Sequence, residues 1–388
     1  MLLQLYLHFP FCKRKCAYCD FCSCEGTALE MEAYAEMLAQ EIRLAAPAYS
    51  DATISTIFLG GGTPSVMSEK AMDLIWRTLR DSFSFVPDME CTVEANPGTL
   101  TARWLELGQY YGINRLSLGV QAAQDRHLKT LGRIHTFAEA KDASALAQRM
   151  GIENINVDIM FGLPGQRGEE YLETLSAVAA LSPSHVSAYS LILEQGTPLW
   201  AMVEQGACVL PTEDETAEMY EQGVKWLAGQ GYRQYEISNF AREGYECRHN
   251  LGYWQGAWYL GLGLNAHSML PANEEEQAYL RAENTADMKM YRRMLEGGQL
   301  PTRLVTPVSP KEAMFETMML GLRTTAGVGE EAFCRRHGQS MRAVYGEKLD
   351  RLVEESLGIW REEQGGGSAF ALTAKGLLLQ NAVLLQLM

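Results

Sequence analysis

The sequence predicts an α/β protein built from alternating strands and helices, with a small winged-helix-like α+β domain at its C-terminal end. Apolar, β-rich runs recur through the first 200 residues, and segments with helical spacing separate them. Past Pro310 this alternation gives way to helices and a glycine-rich turn. Six strands that alternate with helices fit an incomplete (β/α)6 barrel, and a doubly wound open sheet would show the same periodicity.

The predicted strands are short apolar runs rich in β-branched and aromatic residues. Strands that alternate with helical segments at this spacing indicate βαβ units, and βαβ units form a parallel sheet. The six runs are Leu2–Phe9, Ile54–Leu59, Cys91–Ala95, Arg115–Val120, Asn154–Phe161 and His185–Leu193.

The predicted helices carry their apolar residues at intervals of three and four. In the first helix, Met31, Tyr34, Leu38 and Ile42 fall on one face, and the second helix repeats the pattern. An apolar stripe of this kind packs against the sheet. The second helix and its successors are indicated by Met72, Ile75 and Leu79, by Thr101–Tyr110, by Phe137–Met150 and by Glu169–Leu181.

After residue 200 the pattern weakens, although Glu213–Gly229 still predicts a helix. Residues 247–268 are rich in aromatics and glycine, and the polar residues 271–277 predict a loop. Helices at Lys311–Leu322 and Met341–Glu355 are followed by two short strands around a glycine turn and by a last helix. We therefore expect a core at 1–200, an extension that covers it at 201–304, and a C-terminal domain at 305–388.

Composition limits the possible partners and compartments. The 388 residues are 47% hydrophobic and carry a net charge of −15, which disfavours the phosphate backbone of nucleic acids. The N-terminal residues lack the pattern of a signal peptide, and no apolar run reaches the length of a membrane span. Nine cysteines, an odd number, argue against a disulfide framework. We expect a cytoplasmic protein with reduced thiols and at most peripheral membrane contact.

Five of the cysteines lie between residues 12 and 24, and the first three have the spacing C-x3-C-x2-C. Three thiolates on one short loop can bind a compact soft metal centre, and Lys13, Arg14 and Lys15 favour their ionisation. A zinc site would need a fourth ligand, which Cys22 or Cys24 could supply. A [4Fe–4S] cluster held by three cysteines instead leaves one iron open to a small molecule.

Unusual residues also gather where the predicted strands end. In parallel α/β folds, ligands bind at the carboxyl ends of the strands. The ends of the second, third, fourth and fifth strands read GGGTPS, EANP, GVQ and FGLPGQ. The glycines allow a ligand to approach the backbone closely.

The cysteine spacing, with an aromatic residue before the third cysteine, and the GGGTPS segment together resemble the radical SAM superfamily. The likeness extends over nearly the whole chain and is to the HemN/HemW branch. It implies a (β/α)6 radical SAM barrel in which Cys12, Cys16 and Cys19 hold a [4Fe–4S] cluster. The open iron of that cluster would bind the amine and carboxylate of S-adenosylmethionine (SAM).

The same resemblance implies a set of residues that bind SAM. Carboxylates suit ribose hydroxyls and an ammonium group, and an arginine suits a carboxylate. Where the local sequence matches the family, these residues are Tyr6, Gly61, Gly62, Thr63, Glu94, Gln121, Arg133 and Asp158.

The branch contains oxygen-independent coproporphyrinogen oxidases and heme chaperones. The oxidases carry an extension before the cluster and a cysteine two residues after its third cysteine, whereas here Cys12 stands near the start and Phe21 replaces that cysteine. HNLGYW, at 249–254, matches the HNxxYW signature of the HemW group. The resemblance thus implies a chaperone that passes heme to acceptor proteins, respiratory proteins among them, without oxidase activity. A radical SAM oxidoreductase of the coproporphyrinogen oxidase type is the alternative.

HNLGYW offers groups that could bind heme. His249 could ligate the iron, and Tyr253 and Trp254 present flat apolar faces. Cys247 is a second possible ligand, and Arg248 could pair with a heme propionate. His8 and His267 are further candidates for which we favour a structural role, and no residue is assigned to catalysis.

Overall fold

The structure is a computed structural model that describes residues 1–272, 276–362 and 366–388. Most of its strands join one large sheet, and a smaller sheet lies near the C-terminus. The strands are β1 Leu2–Phe9, β2 Phe11–Cys12, β3 Cys24–Glu25, β4 Thr53–Gly61, β5 Ser84–Ala95, β6 Arg115–Gln121, β7 Asn154–Phe161, β8 His185–Ser190, β9 Arg233–Gln234, β10 Asn239–Ala241, β11 Tyr259–Leu262, β12 His267–Pro271, β13 Tyr279–Asn284, β14 Thr302–Val308, β15 Val328–Gly329, β16 Gly358–Glu362 and β17 Ser368–Leu372.

The helices alternate with strands through the first half of the chain and dominate its last quarter. Short 3-10 turns lie at Ala46–Tyr49, Pro64–Val66 and Pro97–Thr99. The α-helices are α1 Ala28–Ala45, α2 Glu69–Ser82, α3 Ala102–Tyr111, α4 Asp125–Thr130, α5 Phe137–Arg149, α6 Gly168–Ala179, α7 Pro198–Glu204, α8 Glu213–Gly229, α9 Arg248–Trp254, α10 Met288–Glu296, α11 Pro310–Gly321, α12 Glu330–His337, α13 Met341–Glu354, α14 Ala374–Leu378 and α15 Gln380–Leu387. No helix in the described ranges is long and apolar enough to cross a membrane.

The order of the strands decides between the two predicted arrangements. The large sheet runs β14-β13-β12-β11-β1-β4-β5-β6-β7-β8-β10-β9. The six predicted strands therefore follow one another in sequence order and are parallel. In a doubly wound sheet the strand order reverses at a switch point, whereas these six strands keep a single order. The order is that of a (β/α)6 barrel left incomplete, since β14 and β9 form the edges of the sheet within the described residues.

The six central strands have one apolar and one polar face, because successive side chains of a strand point to opposite sides. On β1, Leu3, Leu5 and Leu7 are fully buried in the core that also contains the apolar stripe of α1. Gln4 and Tyr6 alternate with them and belong to the other face. The polar face carries the candidate site.

The predicted strands and helices of the first half agree with the structure to within a few residues, except that β5 begins earlier, at Ser84. The strands β16 and β17 are the two short strands expected around the glycine turn, whereas the strands β9 to β15 were not predicted. Of these, β11 pairs with β1 in parallel, and β12, β13 and β14 add antiparallel strands. Residues 273–275 of the predicted loop and residues 363–365 of the predicted glycine turn lie outside the described residues.

The C-terminal part has a core of its own, in which Phe333, Phe370 and Leu349 are fully buried. Its antiparallel sheet has the order β15-β17-β16 and packs with α11, α12 and α13. Three helices and a small antiparallel sheet in this arrangement agree with the predicted winged-helix-like α+β domain. The domain meets the rest of the chain where the Thr325 backbone N–H donates to the Tyr235 carbonyl oxygen at 3.0 Å.

A buried carboxylate connects α1 with the later part of the chain. Glu41 accepts hydrogen bonds from the Tyr291 hydroxyl at 2.6 Å, from the Gly263 backbone N–H at 2.8 Å and from the Asn284 amide at 2.6 Å. These partners lie more than 220 residues away in sequence. Burial raises the pKa of Glu41 to about 7, and the three hydrogen bonds oppose that shift.

We expect Glu41→Gln to lower the free energy of unfolding by about 1–3 kcal/mol, because buried donors lose an acceptor. The folded state holds the proton of Glu41 up to pH about 7, whereas the ordinary pKa is 4.5. The stability that Glu41 contributes therefore falls as pH rises between these values. The difference between wild type and variant, measured by urea unfolding, should shrink from acidic to neutral pH. Glu36→Gln, on the exposed side of α1, is the control, and a pH-independent difference would contradict the assignment.

Candidate functional site

The cysteine-rich loop follows β1 directly and lies at the carboxyl end of that strand. Cys12 is buried at the end of β2, while Cys16 and Cys19 are half-buried. The Cys19 backbone N–H donates to the Cys16 carbonyl oxygen at 3.3 Å, which closes a turn between them. Burial raises the pKa of the Cys12 thiol, and hydrogen bonds with Thr63 and Ser23 oppose the shift. Burial also raises the pKa of Cys19.

The loop is anchored on both sides by the backbone around Ala17. The Ala17 N–H donates to the Leu131 carbonyl oxygen at 2.9 Å, and the Ala17 carbonyl accepts from the Leu199 N–H at 2.8 Å. Arg133 donates from Nη1 to the Cys16 sulfur at 3.3 Å. These contacts hold the thiols in a partly desolvated position, where their ionised forms require a compensating positive charge such as a metal centre.

In the described part of the chain, no three His, Cys, Asp or Glu side chains form a group that could hold a metal ion. A single zinc ion requires its ligands to converge on one point. A cubane makes a different demand, because each cysteine binds a separate iron atom. Three thiols on one anchored loop, one buried and two half-buried, with an arginine beside Cys16, fit the second demand.

The glycine segment ends β4 against the chain that leads into the loop. The Gly62 N–H donates to the Phe9 carbonyl oxygen at 2.8 Å, and the Thr63 N–H donates to the Phe11 carbonyl oxygen at 2.7 Å. A Cβ on Gly62 would lie 2.5 Å from that Phe11 oxygen. Gly61 has φ 102°, a left-handed backbone that favours glycine. The glycines therefore allow the end of β4 to lie directly against the loop that carries Cys12.

Two half-buried carboxylates lie on β5 and β7, Glu94 next to the end of β5 and Asp158 three residues before the end of β7. Glu94 accepts from the Gly61 N–H at 3.1 Å, and burial together with the charge of Asp158 raises its pKa to about 8. Asp158 accepts from the Ser117 hydroxyl at 2.9 Å and from the Asn156 amide at 2.8 Å. Burial raises the pKa of Asp158, while these bonds oppose the shift. Ionisation of either carboxylate is unfavourable in these surroundings. A ligand with a positive charge or with hydroxyl groups would stabilise the ionised forms, so the pair is suited to such a ligand.

Gln121 and Arg133 meet beside β6. A Cβ on Gly119 would lie 3.0 Å from Nη2 of Arg133 and 3.1 Å from Nε2 of Gln121. Gln121 has φ 72°, which is rare for a residue with a side chain and follows a shift in the pairing register of β6 and β7. Arg133 Nη2 donates to the Gly119 carbonyl oxygen, while its Nε is buried and has no hydrogen-bond partner among the described residues. A buried, unpaired guanidinium donor favours an anionic group at this position.

The HNLGYW residues form most of α9, which lies on the polar face of the sheet. Its first N–H groups bind the buried carboxylate of Glu90, from Arg248 at 2.9 Å and from His249 at 3.0 Å. A Cβ on Gly252 would lie 2.1 Å from the amide of Gln4 on β1, so the glycine permits this close approach.

His249, which the sequence suggests as a heme ligand, lies in the first turn of α9. Its side chain is fully buried, and both ring nitrogens are hydrogen-bonded, Nδ1 with the Thr56 hydroxyl at 2.7 Å and Nε2 with the Tyr253 hydroxyl at 3.0 Å. Burial and the nearby Arg115 lower its pKa to about 3. An iron bond would require the loss of one of these contacts, so the imidazole holds Tyr253 in place.

The neighbours of His249 are engaged as well. Cys247 is fully buried, its sulfur lies 3.4 Å from a Glu90 oxygen, and burial raises its pKa to about 12. Arg248 pairs with Asp88 at 2.8 Å, so its guanidinium already has an anionic partner. In His8, Nδ1 is hydrogen-bonded with the Tyr6 hydroxyl at 2.9 Å and Nε2 with the Cys22 carbonyl oxygen at 2.8 Å.

A cavity of about 580 Å³ opens beside these groups, a size in the range of small-molecule and cofactor sites. One wall comes from the strand ends and the cysteine loop, and the other from α9, the β11–β13 strands and α11. The lining residues are Tyr6, His8, Asp20, Phe21, Cys22, Gly61, Glu94, Tyr253, Trp254, Tyr259, Asn265, His267, Met269, Arg281 and Leu320.

Three of the predicted SAM residues, Tyr6, Gly61 and Glu94, thus line one cavity with Tyr253 and Trp254. Gln121, Arg133 and Asp158 lie further along the strand ends and are not among its lining residues. The wall formed by β11–β13 was not predicted from the sequence. Nor was the polar face, although alternating polar residues within the apolar runs, such as Gln4, Tyr6 and His8, mark that face in the sequence.

Comparison with known proteins identifies two segments. Residues 6–178 match the radical SAM superfamily, and residues 308–379 match the HemN C-terminal domain. The heme chaperone HemW of Bacillus subtilis is 37% identical over 97% of this chain and 97% of its own length. HemW of Lactococcus lactis is 34% identical over 97% of this chain and 95% of its own. HemW of Escherichia coli is 41% identical over 68% of this chain and 69% of its own length.

Among solved structures, the radical SAM enzyme coproporphyrinogen III oxidase (HemN) from Escherichia coli superposes with a TM-score of 0.83. The superposition covers 100% of this chain and 89% of that one, at 22% sequence identity. At this identity the likeness concerns the fold, which agrees with the incomplete barrel and its C-terminal domain.

We predict that Gly62→Ala lowers the iron and sulfide bound after anaerobic reconstitution by more than half. The new Cβ would collide with the Phe11 backbone, 2.5 Å away, and displace the segment that leads into Cys12. Gly346→Ala, where no atom lies within 4 Å of the new Cβ, is the control. If both variants assemble equal amounts of iron and sulfide, the packing of β4 does not shape the loop.

Proposed function

Since the chain belongs to the HemW family of the radical SAM superfamily, we propose that it is a heme chaperone that binds heme and delivers it to acceptor proteins. Membership of the superfamily implies a [4Fe–4S] cluster and SAM. The observation that carries the proposal is the cavity, because SAM-side residues and the aromatic residues of α9 line the same space. Respiratory heme proteins are the acceptors we propose, and the cytoplasm is the compartment.

We assign the cluster to Cys12, Cys16 and Cys19, and SAM to the residues around the adjoining strand ends. The cluster, when bound, supplies one open iron and a one-electron reductant. The partly desolvated thiols and the arginine beside Cys16 support this assignment. The SAM residues in the proposal are Tyr6, Gly61, Gly62, Thr63, Glu94, Gln121, Arg133 and Asp158.

Each of these groups has a task that follows from its surroundings. Glu94, half-buried and hydrogen-bonded to the Gly61 N–H, can accept from an ammonium or a ribose hydroxyl. The unpaired Nε of Arg133 can donate to a carboxylate. Gly61 lines the cavity, and the absence of a side chain on Gly62 lets the end of β4 pack against the segment that leads to Cys12.

The aromatic wall supports heme as the cargo. Tyr253 and Tyr259 meet edge to face with their ring centroids 4.7 Å apart, and Trp254 lies next to them in the wall. Flat apolar rings suit a porphyrin macrocycle. Arg281 also lines the cavity; its Nη2 pairs with Glu316 at 2.8 Å, and the other N–H groups of the guanidinium can donate to a propionate. A coproporphyrinogen oxidase would use the same fold, but the relatives that match most of the chain are named as heme chaperones.

The cluster assignment predicts a clear division among five cysteines. Cys12→Ser, Cys16→Ser and Cys19→Ser should each lose iron, sulfide and the brown absorbance, because a serine oxygen is a poor substitute for a thiolate ligand. Cys22→Ser and Cys24→Ser should retain all three. Metal and sulfide analysis of anaerobically reconstituted protein gives the answer, and loss of the cluster in either of the last two variants would show that the ligand set is wrong.

The choice between carrier and oxidase predicts two further results. Reduced, reconstituted protein incubated with SAM and coproporphyrinogen should release no decarboxylated product, and the same preparation should bind hemin in a spectrophotometric titration. Decarboxylated product at catalytic turnover would support the oxidase instead. Formation of 5′-deoxyadenosine after reduction would exclude a purely structural metal protein.

A further inference from the structure

The histidines of this chain differ in how many of their ring nitrogens are hydrogen-bonded. All seven lie in the described part of the structure. Both nitrogens are hydrogen-bonded in His8, His185 and His249. His127 and His135 are buried away from the cavity, and His337 bonds with Thr317 at 2.9 Å in the C-terminal domain.

His267 is the exception. It is exposed, it lines the cavity, and among the described residues none hydrogen-bonds with its ring. An imidazole with a free nitrogen at the wall of a cavity is available to a metal ion, whereas an imidazole engaged at both nitrogens is not.

The backbone that carries His267 is rigid. His267 begins β12 and pairs with Glu283 on β13. A Cβ on Gly261 would lie 2.1 Å from the His267 carbonyl oxygen, so β11 and β12 are in close contact here. The adjacent Ser268 hydroxyl accepts from the Gly261 N–H at 3.0 Å. A ligand on a strand fixed in this way keeps a constant position relative to the aromatic wall.

The cavity lining also includes Cys22, whose carbonyl oxygen is hydrogen-bonded with the His8 ring. A thiol binds iron as the thiolate, and burial raises the pKa of Cys22. The neutral imidazole of His267 needs no ionisation to bind iron. Of the two groups, the histidine is therefore better suited as a ligand.

We propose that His267 is the protein's axial ligand to heme iron, with the macrocycle against Tyr253, Trp254 and Tyr259 and a propionate near Arg281. This inference rests on the proposed function, since it names the ligand of the same cargo. It also assigns the HNLGYW residues the task of forming the porphyrin wall, with His249 as a positioning residue behind Tyr253.

The test is a hemin titration of anaerobically reconstituted wild type and variants, followed by absorption and electron paramagnetic resonance spectra. His267→Ala should weaken hemin binding by about tenfold or more and lose the spectrum of an imidazole ligand. Added imidazole should restore that spectrum, because it can occupy the vacated space. His337→Gln, a histidine outside the cavity, should match wild type.

The outcomes separate this inference from the function on which it rests. If wild type binds no hemin, the proposed function fails. If wild type binds hemin and His267→Ala keeps its affinity and spectrum, the function stands and the ligand assignment is wrong, as it is if Cys22→Ser alone removes the ligand spectrum. Should His267→Ala fail to assemble its cluster, His267→Gln preserves the bulk of the side chain and decides by the same spectra.

Discussion

The fold depends on hydrogen bonds that satisfy the buried polar side chains on one face of its parallel sheet. Buried polar groups cost free energy unless they are hydrogen-bonded, and this face carries many of them. Ser117 and Asn156 bind Asp158, and Asn156 also accepts from the His185 ring at 2.7 Å. His185 in turn meets the Tyr235 hydroxyl at 2.8 Å. These hydrogen bonds connect the polar side chains of β6, β7 and β8 with one another and with Tyr235.

The same constraint determines where α9 lies. Glu90 is buried on β5 and accepts from the first N–H groups of that helix, while Thr56 on β4 binds the ring of His249. The aromatic residues at the end of α9 then reach the cavity beside Tyr6 and Glu94. A hydrogen-bond requirement deep in the sheet thereby brings a candidate porphyrin wall next to the candidate SAM site. In the proposed function, this shared space is where cluster, SAM and heme could influence one another.

The fold alone does not decide between a carrier and an oxidase, because both are built on the same scaffold. In the proposed function, the lining of this cavity supports the carrier. The cavity combines exposed His267 with aromatic rings, which suits a flat molecule such as heme. Heme held by one accessible protein side chain can be exchanged, and a carrier must also release its cargo. The C-terminal domain takes part as well, because Leu320 of α11 completes the lining.

The sequence by itself determined the alternation of strands and helices, the cysteine loop, and the glycine and carboxylate residues at the strand ends. These are local features, and their signals are periodicity, spacing and turn-forming residues. Only the tertiary structure decided that the strands follow one another in barrel order and that β11 adds to β1. It also decided that both ring nitrogens of His249 are hydrogen-bonded, whereas the ring of His267 has no hydrogen-bond partner among the described residues. Such partners can be distant in sequence, since Thr56 lies 193 residues from His249. Periodicity records which face of a strand is polar, but it carries no information about which distant group will satisfy a given donor.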